Sequence, residues 1–337
     1  MFSAPPLPRT LQAALRDLES SSNATRVGAV RDLALHAQVD RLGVIRAIER
    51  TLRDEHASVR AAAAIALADL RGAGALASLL VAVDDDDPLV QQMAISALGE
   101  IGDARATQRL RRALRDDLPE VRFQATIAFP RVCVSPHDAA EAIEHATRDP
   151  DEFVRHIAFR MAEEFVDERG HVEPLFLHCA REALVSSSDR VRLVAAILLA
   201  RSGDSAGDAI VEKAGCAALR DVDAEDEATA IELCGERGLR GAERGLERRA
   251  FGTRWFGRSD RFAWQATVAL AQMGHKRATR QILVGLGSWS RERRTLAVVA
   301  AGRAKLAQAK EILSSRGVHV NFADPEAVKA ALEALAA

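Results

Sequence analysis

Asp54-Glu55-His56-Ala57-Ser58-Val59-Arg60, followed by Ala63, Ala66, Leu67 and Leu70, is the stretch on which the fold turns. It returns as Asp87-Pro88-Leu89-Val90-Gln91 with Ala94, Ala97, Leu98 and Ile101. A further return reads Leu118-Pro119-Glu120-Val121-Arg122 with Ala125, Ala128, Phe129 and Val132. Working outward in both directions, a small or apolar residue recurs four places after an anchor. These residues are Val30, Ala63, Ala94, Ala125, Ala158, Ala195, Ala230, Ala266 and Ala297, at gaps of 31 to 37 residues. A period in that range belongs to stacked helical repeats, in which each unit hides its apolar face only against its neighbours. Apolar residues at +7, +8 and +11 from the anchor complete a stripe of helical period.

The remaining punctuation agrees. First helices of the units are read at Leu11 to Leu18, Val44 to Leu52, Leu76 to Val83, Thr107 to Leu114 and Ala139 to Thr147. Acidic turns such as Asp84 to Asp87, Asp116-Asp117 and Asp149-Pro150-Asp151 precede the second helices. Aspartate there accepts free backbone N–H groups and suits the positive dipole end, and proline fits the first turn. Gly99, Gly102, Gly203 and Gly274 mark helix ends. The expectation is an all-α fold, a right-handed α-solenoid of about nine helix pairs. It is read as one solenoid over 1–337, with a lead at 1–9, repeats at 10–316 and a C-terminal cap at 317–337. In that cap Val318 to Phe322 has extended character and Asp324-Pro325-Glu326 opens a last helix. Pro130, inside a second helix, is expected to kink it.

The pattern resembles the HEAT repeats, in particular the short bacterial variety related to the phycobilin lyase subunits. The D-x-x-P-x-V-R-like segments carry the resemblance, with the run Ala97 to Ala106, Leu198 to Asp204 and Ala269 to Gly274. It implies a structural ladder between units, in which the turn Asp meets the Arg after the Val anchor. Arg60, Arg122, Arg155 and Arg192 match that Arg, and Gln91 breaks the row. It also implies scaffold or adaptor work, with a lyase-type subunit that cradles a chromophore or its acceptor protein as the alternative.

Charge is unevenly distributed along the chain. Residues 236–316 hold 18 Lys+Arg against 6 Asp+Glu, whereas 1–235 hold 27 against 39. Such a bipolar field steers partners. Cys133, Cys179, Cys216 and Cys234 are widely spaced, form no C-x-x-C pair, and read as reduced core thiols. The first residues show no basic region followed by an apolar run, and no stretch of 18 apolar residues occurs, so a cytoplasmic chain with no membrane contact is expected.

No catalytic or metal constellation emerges. The nine histidines show no H-x-x-x-H or H-E-x-x-H spacing, and no phosphate loop, G-x-S-x-G elbow or calcium-loop pattern is present. The expectation is therefore no enzyme, no cofactor and no metal. Partner contact is placed first on the basic, aromatic loop from Arg248 to Arg261, through Arg254, Trp255, Arg258 and Arg261, with Trp264 just beyond it. Arg and Trp are enriched at binding hot spots. The same residue types suit nucleic acid, and Asp260 has the place of a catalytic Asp in a reading as an alkylbase-glycosylase-like protein. The acidic remainder of the chain disfavours DNA. The second placement is a concave row at +2 and +5 from the anchors, with Phe123, Phe159 and Leu193 beside Trp264. Alternatively, these side chains seal neighbouring second helices together.

Overall fold

The computed structural model describes residues 9–71, 73–165, 170–252, 260–316 and 322–336. Among the described residues twenty α-helices follow one another in pairs. The pairs are α1 (Leu11–Asp17) with α2 (Asn23–Leu35), α3 (Arg41–Arg50) with α4 (Ala57–Asp69), and α5 (Leu76–Ala82) with α6 (Pro88–Ile101). Next come α7 (Thr107–Ala113) with α8 (Pro119–Val132), α9 (Pro136–Ala146) with α10 (Glu152–Ala162), and α11 (Pro174–Ala183) with α12 (Asp189–Arg201). The last four are α13 (Asp208–Gly215) with α14 (Ala224–Glu236), α15 (Glu243–Phe251) with α16 (Ala263–Gln272), α17 (Lys276–Gly285) with α18 (Arg291–Arg303), and α19 (Ala307–Arg316) with α20 (Pro325–Ala334). The architecture is an all-α succession of helix pairs, and the described residues contain no β-sheet. What reads in sequence as a cap is partly a tenth pair, α19–α20. The segment 317–321, where extended chain is expected, lies outside the described residues.

The chain forms two compact units, Met1–Phe176 and Leu177–Ala337. In the first unit the second helices stack in chain order, α4 on α6 and α6 on α8. In the other unit α14 packs on α16, and α18 on α20. The recurring small residue explains the stacking. Ala63, Ala94, Ala125, Ala158, Ala195, Ala230, Ala266 and Ala297 all have 0% of their surface exposed. With no side chain beyond Cβ, each lets a neighbour approach closely. A second line of close approach lies nearer the helix C-termini. A Cβ on Gly99 would sit 2.8 Å from that of Ala128, and one on Gly302 would sit 2.9 Å from that of Ala331. Gly235 is similarly tight, with a Cβ there 2.6 Å from the Ala269 Cα.

Helix starts follow the chemistry of their caps. The Asp87 carboxylate accepts the N–H groups of Leu89 and Val90, with Pro88 in the first turn. Ser188 and Ser290 cap α12 and α18 through their hydroxyls. Gly102 ends α6 in the left-handed region at φ 71°. Pro130 lies in the last turn of α8, and that helix stops at Val132.

The first helix pair, α1–α2, shifts the sequence register by one residue. Ser22 caps α2, so Ala29, and not Val30, takes the place of Ala63 in α4. Both are fully buried. The shift makes Arg26 the counterpart of Arg60, a correspondence missed in the sequence.

Candidate partner-binding surface

The arginine ladder is present and has a double job. Arg60 donates to the carbonyls of Asp54 and Glu55 in its own repeat at 2.8 and 3.2 Å. Its other edge holds both carboxylate oxygens of Asp85, in the next turn, at 2.8 and 2.7 Å. Arg122 repeats this, with the Asp116 and Asp117 carbonyls at 2.8 and 3.1 Å and the Asp149 carboxylate at 2.8 Å on each oxygen. Arg26 holds the Ser20 carbonyl and Asp54, both at 2.8 Å. Arg155, Arg192 and Arg294 donate to carbonyls of their own preceding turns. The bidentate fork of arginine is what makes this two-sided grip available. Burial pushes the Asp54, Asp85 and Asp149 carboxyls up, but the facing arginine and a turn N–H outweigh it and hold each below the usual range. Where Gln91 breaks the row, its amide oxygen is buried with no hydrogen-bond partner among the described residues.

In the second unit the ladder reverses sign. Glu227 stands where an arginine would, three residues before Ala230. Asp260 makes the usual acidic turn, accepting the Phe262 N–H at 2.8 Å. Two carboxylates would then be left without their cation. Arg249 of α15 supplies it from the side, at 2.9 Å from Glu227 and 3.3 Å from Asp260. It also lies 5.2 Å from the Phe262 ring, and its guanidinium reaches the last carbonyls of α13, Ala214 and Gly215, at 3.5 and 3.3 Å. The negative end of a helix dipole favours a cation there. Arg261 pairs with Glu227 on the solvent side. Asp260, the residue with the place of a catalytic acid in the glycosylase-like reading, is thus tied into the fold by its turn and by Arg249.

The loop residues on which partner contact was first placed fall apart into three groups. Arg254, Trp255 and Arg258 lie outside the described residues. Arg261 is exposed and paired with Glu227. Trp264 is half-buried against the core of the second unit.

The concave row needs correcting by about a third of a helical turn. Phe159 and Leu193 are fully buried and have no surface to offer a partner, and Phe123 is half-buried. Ile95, Thr126, Ala196 and Thr267, all one residue after the small anchor, are also buried. These buried side chains belong to the interior and not to a contact surface. The open positions lie one residue before or two after the small residue, except on α12, where Val194 and Ile197 are fully buried. In the first unit they carry Ile65, Met93, Ile127 and Ile157, exposed or half-buried. In the second they carry Thr229 and Glu232, then Gln265 and Val268, then Leu296 and Val299.

Arg303 of α18 pairs at 2.7 Å with Glu232 of α14, although α16 lies between them in the stack. Two packing distances of about 8–10 Å each separate a helix from its second neighbour in a flat stack. The long Arg303 and Glu232 side chains bridge that span. On the rim Trp289 is 101% exposed, with Leu296 at 53% and Val299 at 39%. Arg291 and Arg293 are exposed beside it. Trp289 was not among the contact residues expected from the sequence. The signal that would have found it is its place one residue before the Ser290 cap, where no core partner faces it.

Comparisons with known proteins agree with this architecture. Residues 46–130 and 77–163 match the family profile described as HEAT repeats. A comparison with curated protein sequences finds no significant match. Among solved structures, the chain is similar to YibA of E. coli at 17% identity and TM-score 0.52, over 79% of this chain and 92% of that one. The complex of CpcE and CpcF of phycocyanin lyase from Nostoc is similar at 20% identity and TM-score 0.45, over 73% and 96%. The S. pombe condensin Cnd3–Cnd2 subcomplex is similar at 15% identity and TM-score 0.46, over 96% and 54%. No helix among the described residues is long and apolar enough to cross a membrane.

Proposed function

We propose that this HEAT-repeat protein is a non-enzymatic adaptor that holds a protein partner on the second-helix face of its C-terminal unit. Trp289, Leu296 and Val299 are the apolar contact, Trp264 and Val268 lie beside it, and Arg261, Arg291 and Arg293 form the rim. The observation that carries the reading is Trp289, whose whole surface is in water. A folded chain gains nothing from an indole held there, whereas burying one in an interface contributes about 2 kcal/mol or more. The basic balance of 236–316 adds long-range attraction for an acidic partner. The bilin-lyase reading rests on likeness of fold alone, and no residue described above is built for a chromophore.

The test compares native-cell affinity capture by the parent with capture by the triple variant Trp289→Ala, Leu296→Ser, Val299→Ser. The expected result is loss of a specific partner with an unchanged melting temperature. Identical captured sets from two equally folded proteins would overturn the proposal.

A further inference from the structure

A groove of about 770 Å³ opens on a different surface of the C-terminal unit, between α17 and the corner joining α18 to α19. Its floor is apolar, with Leu306 almost fully buried and Leu283 half-buried, and Val284 stands on its wall with 70% of its surface exposed. Lys276, Arg280 and Lys305 line it, and no carboxylate does. Lys276, Arg280, Leu283 and Val284 share one face of α17, at spacings of four, seven and eight residues from Lys276.

Two properties in combination mark this groove. The other sizeable hollows mix both signs, with Asp138 beside Arg111, Glu247 beside Arg248, and Asp85 beside Arg60. Its cations are also unspent. Whereas the ladder arginines are held by turn carboxylates, Lys276, Arg280 and Lys305 make no ion pair with any described residue. An apolar floor ringed by unpaired positive charge complements one ligand type well. This is an amphipathic helix whose apolar stripe enters the groove while acidic side chains reach the rim. Its volume falls in the range of pre-formed ligand sites, about 300–1,000 Å³.

We infer that the α17–α19 groove is a second docking site, which takes an acidic amphipathic helical segment of a partner protein. The contacts are an apolar pair spaced i, i+3 or i, i+4 against Val284, Leu283 and Leu306, and Asp or Glu side chains against Lys276, Arg280 and Lys305. The site stands independently of the Trp289 face.

A displayed library of random peptides, selected against the full chain, tests it. Enriched peptides are expected to be acidic, to carry the paired apolar spacing, and to bind about ten-fold or more weakly to Lys276→Glu/Arg280→Glu/Lys305→Glu. Val284→Asp, at an exposed position, is expected to weaken them as well and covers the case in which the charge-reversed variant fails to fold. Binding should fall as salt rises and should be unchanged by Trp289→Ala, which separates this site from the adaptor face. Enrichment without acidic bias, equal binding to both folded groove variants, or no enrichment at all would overturn the inference. So would a 20-base-pair DNA duplex that binds the parent, is lost on the same variants and displaces the peptides.

Discussion

Replacing Arg249 with Met tests the sign-reversed joint of the second unit. Methionine retains most of the apolar stem, so the change isolates the guanidinium. Only 5% of Arg249 is exposed, and the Glu227 and Asp260 side chains are exposed by 9% and 14%. Without the cation, two buried carboxylates face each other. Glu227 retains Arg261 on its outer side, while among the described residues Asp260 retains the Phe262 N–H. Removing one partner of a buried pair costs about 3–5 kcal/mol, because the other charge stays desolvated. Repeats touch only their neighbours, so the loss is expected to stay local. Urea denaturation should show an early transition, and hydrogen exchange should place it in α13 to α16. Glu227→Gln in the same background should recover part of the loss, with a coupling of at least about 1.5 kcal/mol. A cost under about 1 kcal/mol for Arg249→Met, or strict additivity of the two changes, would refute the reasoning, since a buried pair cannot be broken so cheaply.

Other predictions follow from the same packing. Ala94→Leu and Ala125→Leu should each destabilise by about 1–3 kcal/mol through overpacking, and thermal melts equal to the parent's would show that these are not contact points. The ladder aspartates Asp54, Asp85 and Asp149 have carboxyls held below their ordinary range. Their contribution is present above the unfolded value of about 3.9 and is lost as pH falls through the lower folded values. The urea midpoint should therefore drop on the acid side, more shallowly in Arg60→Ala/Arg122→Ala. An identical acid profile in that variant would contradict the ladder. Burial pushes the Cys234 thiol up to about 12, so iodoacetamide at neutral pH should spare it in the folded chain and label it once urea unfolds the protein. Rapid labelling of Cys234 in the native state would count against that burial.

The fold was legible because its determinants are local and repeat. Small residues at the close-approach points, capped helix starts and the Arg–Asp pairs appear in the sequence at nearly constant intervals, and eight of the nine anchors needed no adjustment. The first helix pair went astray by one place because Arg26 was read as an anchor, when its spacing from the Ser22 cap makes it a ladder residue. The binding face was harder to read. On a helix one residue is about 100° of rotation, so a row chosen one place off reads Phe159 and Leu193 as surface. Nor does periodicity show which cations are already engaged. Arg249 and Arg280 look alike in the sequence, yet one is buried between two carboxylates and the other faces an empty groove.

The ladder also bears on how such a chain tolerates being lengthened or cut. Each regular layer presents an arginine to the next and receives one from the layer before, so a copied or deleted layer leaves every charge matched. Duplicating 57–87, for example, would set Arg60 against a second Asp85 with no new mismatch. The joint at Glu227 does not share this freedom. An ordinary layer inserted after α14 would bring an aspartate turn against Glu227 and separate both from Arg249. The number of layers is thus open to change along the Arg–Asp stretch of the first unit, and closed at the one place where the charges are exchanged.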